Sequence, residues 1–206
     1  MFTVYGAKGS GSVIVEAALT LMGVGYRLVD ADPWGDEAAL QALEKVSPLR
    51  QVPVLELPDG RIMTESAAML LWFGDTREGR PFAPALNDPN RPAYLRWMVF
   101  IPANIYPMYT VKDNVALWVS DGDCQVELTA NTIDRISACW KILEAEVAPS
   151  PFIFGETPTF LDLYVAVVSR WTPGRDTFTE NCPKLGAMVR LIDEDPRLET
   201  IWAERF

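Results

Sequence analysis

The segment Tyr5-Gly6-Ala7-Lys8-Gly9-Ser10-Gly11-Ser12 sets three hydroxyl side chains among three glycines, just ahead of the apolar run Val13 to Met22. Such a turn offers hydroxyl and main-chain N–H donors where a helix begins. It offers no base. The chain contains no histidine, which removes Ser-His-Asp and Cys-His nucleophile pairs and His-ligated zinc. Proton chemistry near neutral pH then needs a group with a shifted pKa, or a reagent carried in by a substrate.

Two further clusters accompany the turn. In Gln51-Val52-Pro53-Val54 a proline stands just ahead of a β-type run, at the first residue of a strand or on an edge, because it cannot donate to a ladder. Twelve residues after Pro53, Glu65-Ser66 opens a helix, where unpaired N–H groups and a partial positive charge suit an anion. Ser66 serves equally as a helix cap, since cap and anion site use the same donors. Further on, Thr159-Phe160-Leu161-Asp162 carries the spacing of a capping box, with a structural role.

The elements that must position these residues follow from periodicity. Phe2 to Tyr5, Tyr26 to Val29, Val52 to Leu57 and Arg61 to Met63 are β-like. Val13 to Met22, Glu37 to Val46 and Ser66 to Phe73 are helical. Pro58-Asp59-Gly60 is a turn. The order is βαβαββα, a small mixed sheet with helices on its faces. Residues 77–92, rich in proline and polar residues, form a linker between a domain at 1–76 and an all-α domain at 93–206. Helices are expected over Ala93 to Ile105, Val126 to Val147, Thr159 to Arg170, Pro183 to Asp193 and Leu198 to Ala203. The third is almost wholly apolar and therefore central.

Composition narrows the partners. The 206 residues hold 18 basic and 28 acidic side chains, a net charge of −10, which disfavours nucleic acid and anionic membrane surfaces. A hydrophobic fraction of 49% supports a sizeable core. Cys124, Cys139 and Cys182 form neither CxxC nor a zinc spacing, so they are expected as reduced thiols. With no signal-peptide pattern and no membrane-spanning run, the expected location is cytoplasmic.

An α/β module followed by a helical module, with Val52-Pro53, Glu65-Ser66 and the Thr159–Asp162 box at these places, resembles the bacterial, cytosolic-type glutathione S-transferase family. The resemblance implies an α+β fold: an N-terminal thioredoxin-like domain followed by a helical bundle. It implies a cis Val52-Pro53 bond that presents the Val52 main chain to the cysteinyl part of glutathione. Gln51, Pro53 and Gly11 join that site, and Glu65 and Ser66 hold the γ-glutamyl end. No metal is implied. The sulfur partner comes from Ser10 or Ser12, then Tyr5, or main-chain N–H groups around Gly11, since the slot where many classes keep a catalytic Ser or Cys holds Gly11. Favouring the thiolate of a bound thiol makes an imidazole unnecessary.

The same resemblance implies a detoxifying transferase, with a hydrophobic electrophile lined by Phe100, Tyr106, Tyr109 and Trp118, and a homodimer. Pro102 and Pro107 are expected to kink or end their helix. The alternative is a non-catalytic interaction module of this fold that still binds glutathione. Gly11 favours that alternative, and the Val52-Pro53 and Glu65-Ser66 pair opposes it.

Overall fold

The structure is a computed structural model that describes residues 1–76 and 82–206; residues 77–81 of the expected linker lie outside the described residues. The chain divides into two compact units, Met1–Ala83 with Leu191–Phe206, and Pro84–Arg190.

In the first unit, β1 (Phe2–Gly6), α1 (Ser12–Leu21), β2 (Tyr26–Asp30), α2 (Glu37–Glu44), β3 (Val54–Glu56), β4 (Ile62–Met63) and α3 (Ser66–Thr76) follow the expected βαβαββα order. The sheet order is β2-β1-β3-β4. β1 and β2 run parallel, which requires a crossover, and α1 supplies it. β3 lies antiparallel to both β1 and β4. Val13, Ile14, Val15, Ala17, Ala18 and Leu19 of α1 are wholly buried, as befits a helix apolar on every side. β3 and β4 are shorter than the expected strands. Pro53 cannot donate to the ladder, and the Leu57 N–H is taken by the Arg61 carbonyl at 2.8 Å in closing the turn.

The second unit opens on α4 (Arg91–Phe100), which takes in Arg91 and Pro92 from the expected linker. Proline is at home in a first helical turn, where its missing N–H has no partner to lose. The α-helix stops at Phe100, just ahead of Pro102. A π-helical turn over Ile101–Ile105 carries the chain into α5 (Tyr106–Asp113), with Pro107 in its first turn. A 3₁₀ turn (Val115–Leu117) follows. α6 (Gly122–Glu146) starts earlier than its apolar pattern indicates, because the Asp121 carboxylate caps it by accepting from Asp123 N and Cys124 N.

α7 (Phe160–Val168) is buried at every position. The Asp162 carboxylate accepts from Thr159 N and Thr159 Oγ1, both at 2.7 Å, and from Ile153 N at 2.9 Å. α8 (Arg175–Asn181) has no counterpart among the expected helices. The boundary between the units falls inside α9 (Pro183–Asp193). α10 (Glu199–Arg205) therefore groups with the first unit rather than with the helical one, where the sequence placed it.

Candidate functional site

The sheet register brings three chain segments to one end of the first unit. Tyr5, near the end of β1, pairs with Val54 at the start of β3. Leu55 pairs with Met63 near the end of β4. Met63 is the last residue of β4, so Thr64 and Glu65 leave the ladder toward α3 at the end where Val52 and Pro53 approach β3. The turn leaving β1, the approach to β3 and the start of α3 are thus neighbours.

The Val52-Pro53 peptide is cis. Val52 lies outside the ladder with β1, and no turn bond among the described residues uses its N–H or C=O. Gln51 is exposed, and its N–H donates to Ser47 Oγ at 3.2 Å. Glu65 is also exposed and sits at φ 66, while its carbonyl accepts from Met69 N at 3.0 Å. A left-handed conformation in a residue with a Cβ costs about 1 kcal/mol or more. Ser66, the first residue of α3, is buried.

The Gly6–Ser12 turn is held from inside. Gly6 has no room for a side chain: a Cβ there would stand 2.2 Å from Ser12 Oγ. Gly9 takes φ 66 and donates its N–H to the Arg205 carbonyl at 2.8 Å. Gly11 occupies the N-cap of α1, so Ser12 is the first helical residue and not the cap.

Ser10 and Ser12 are 5% and 0% exposed, and their hydroxyl oxygens lie 2.9 Å apart. Ser10 Oγ donates to the Ala7 carbonyl at 2.7 Å, and Ser12 Oγ–H reaches the Glu16 carboxylate at 3.0 Å. A charged acceptor makes the stronger bond, so the Ser12 proton belongs to Glu16. Two hydroxyl protons thus meet two internal acceptors. Ser10 Oγ in turn accepts from Ser12 N at 3.2 Å. The N–H groups of Lys8 and Gly11 have no acceptor among the described residues.

Tyr5 is committed as well. Its hydroxyl donates to Glu56 Oε2 at 3.1 Å, and burial followed by that carboxylate pushes its pKa above the usual tyrosine value.

Glu16 and Arg205 are two site residues that sequence patterning did not single out. They are 1% and 4% exposed, with Arg205 Nη2 at 3.1 Å from Glu16 Oε1. The available signal was a lone acid in the apolar run of α1; its partner stands 189 positions away. Burial raises the Glu16 pKa, against the opposing pull of Arg205 and Ser12.

The four expected pocket residues all belong to the second unit, and the structure brings only some of them together. Tyr106 and Tyr109 both meet Trp171 edge-on, at ring separations of 4.9 and 5.1 Å. Phe100 is half-buried and edge-on to Trp97 at 5.1 Å. Trp118, 61% exposed, makes no ring contact among the described residues. Tyr109 is buried, which pushes its pKa up, and the Trp140 indole near its hydroxyl falls outside hydrogen-bond geometry.

Comparison with known proteins agrees with the geometry. Residues 12–76 match the family model of the glutathione S-transferase N-terminal domain. The chain is 34% identical over 202 residues to YncG, an uncharacterized GST-like protein of Escherichia coli K12, covering 98% of this chain and 97% of that one. It is 28% identical over 191 residues to a maleylacetoacetate isomerase of Rhizobium meliloti, covering 89% of this chain and 86% of that one. A glutathione transferase homolog from Sulfitobacter, solved with bound glutathione, superposes with a TM-score of 0.85 at 23% identity, over 99% of this chain and 98% of that one. The thioredoxin-like sheet with a mostly helical remainder is the fold of these relatives, and the chain belongs to the glutathione S-transferase family.

Among the described residues no cluster of His, Cys, Asp and Glu is placed to hold a metal ion, and no helix is long and apolar enough to cross a membrane.

Proposed function

We propose that the chain binds glutathione at this end of its sheet and works as a glutathione S-transferase, presenting the thiolate to a hydrophobic electrophile. The observation that carries the proposal is Glu65, an exposed acid held at φ 66 beside the buried Ser66 at the start of α3. Unfavourable backbone persists where the surroundings impose it, and such positions cluster at binding sites. In this reading the α3 N-terminus and Ser66 hold the γ-glutamyl carboxylate, and Glu65 takes the ammonium. The free N–H and C=O of Val52 pair with the cysteinyl main chain. Bound glutathione in the Sulfitobacter relative supports the assignment.

The sulfur partner is main-chain. Tyr5, Ser10 and Ser12 all give their protons to internal acceptors. The unpaired N–H groups of Lys8 and Gly11 remain, at the start of a helix whose dipole favours an anion. Half-buried Phe100 and Tyr106, with exposed Trp118, are the side chains offered to an electrophile, while Tyr109 is withdrawn into the helical core. The protein is taken as a cytoplasmic homodimer acting in detoxification.

The commitment of the Tyr5, Ser10 and Ser12 protons also favours a second reading, a glutathione-binding module without transferase activity. A thiolate absorbance titration of the complex separates the two: the transferase lowers the thiol pKa below that of free glutathione, and the module leaves it unchanged.

Ser66→Ala tests the binding site. Calorimetry should show glutathione affinity falling roughly tenfold, the loss expected when a charge-assisted hydrogen bond is removed, with the urea midpoint nearly unmoved. Unchanged affinity with a large loss of stability would make Ser66 a cap and nothing more.

A further inference from the structure

We infer that Arg205, on α10, is a positioning residue for the turn that receives the glutathione sulfur. The inference rests on the glutathione reading above, and it adds a residue from the far end of the chain. Arg205 reaches the turn by two independent arms. Its carbonyl accepts the Gly9 N–H at 2.8 Å. Its guanidinium donates to Glu16 Oε1 at 3.1 Å, and the same oxygen accepts the Ser12 hydroxyl at 3.0 Å. One residue therefore grips both sides of Gly11: Gly9 through the main chain and Ser12 through a charge.

The ion pair does more than hold. Glu16 is buried, and burial favours its neutral form; Arg205 favours the carboxylate. As a carboxylate, Glu16 can only accept, so Ser12 must donate to it. A protonated Glu16 could donate instead, and the hydroxyl chain through Ser12, Ser10 and Ala7 would reverse or break. Arg205 thereby sets the direction of the chain that shapes the turn and aims the Gly11 N–H. The charged groups facing the guanidinium are Glu16 and, at 3.7 Å, the largely exposed Asp30 at the end of β2; the half-buried Tyr26 also lies close enough to feel both Arg205 and Glu16. Asp30 is screened by water, so Glu16 dominates.

Arg205→Met removes the charged arm and keeps the main-chain arm. Because it orphans a buried acid, it is paired with Arg205→Met/Glu16→Gln, which leaves no buried charge and protects the fold. Two readouts are needed. The first, amide hydrogen exchange over residues 7–14 of the free protein, does not involve glutathione. The second is the thiolate titration of the glutathione complex.

Exchange at Gly9 to Ile14 should quicken at least tenfold in both variants. The bound thiol pKa should rise by about one pH unit, a roughly tenfold loss of thiolate at neutral pH, with glutathione affinity little changed. Unaltered exchange in the double variant would overturn the positioning role. So would a parent-like thiol pKa. A parent protein that takes up no glutathione would overturn the glutathione reading itself, while the exchange result would still decide whether Arg205 holds the turn.

Discussion

A hydroxyl stabilises a thiolate only when its proton is free to point at the sulfur. In this protein the protons of Tyr5, Ser10 and Ser12 point at Glu56, Ala7 and Glu16. Residue types made the two serines the leading donors, yet proton direction depends on acceptors that only the folded chain supplies. Ser10→Ala should therefore leave the glutathione thiol still ionising below its free value in an absorbance titration. A return to the free value would restore the hydroxyl as donor. Glu16 adds a pH signature. Its folded pKa lies above the ordinary 4.5, so the stability it contributes is present below that value and lost as pH rises through the folded pKa. Measured by urea unfolding at successive pH values, Glu16→Gln should gain on the parent as pH climbs from 4.5 toward 7. The orphaned Arg205 stays charged throughout and adds a constant offset.

At the scale of elements, Gly6 lets α1 dock against the end of β1, because a Cβ there would fall 2.2 Å from Ser12 Oγ and 2.3 Å from Ser12 Cβ. Gly6→Ala should cost about 1–3 kcal/mol in urea unfolding, the range for overpacking, and should loosen the sulfur turn with it. In the helical unit, Asp162→Ala should cost more than Thr159→Ala, for which about 1 kcal/mol is expected. Asp162 alone satisfies the N–H groups of Ile153 and Thr159, and it is completely buried.

Local chemistry made this box legible from four residues of sequence, as it made Val52-Pro53 and Glu65-Ser66 legible. α8 was not legible, since Phe178 is the single buried residue in its seven. At Pro102, expected to kink or end its helix, the α-helix stops at Phe100 and a π-helical turn, which no periodic pattern marks, takes over.

For the whole molecule, the absence of histidine shapes the proposed chemistry more than it forbids it. The α3 N-terminus, the Val52 main chain and the turn before α1 gather at one sheet end without an imidazole among them. The βαβαββα order of the first unit followed from hydrophobic periodicity, whereas the sheet order β2-β1-β3-β4 is read from the structure. The place of α10 did not follow from periodicity either. Its grouping with the first unit goes with the pairing of Arg205 and Glu16 across 189 positions, and no periodic pattern encodes such a pairing.

The central claim is that this sheet end takes glutathione and ionises its thiol. The most direct test is calorimetry of the parent protein with glutathione, followed by thiolate absorbance of the complex as pH is raised. Saturable binding at or below millimolar concentration, with the thiol ionising below its free pKa, is the predicted result. No heat at millimolar glutathione would contradict the account.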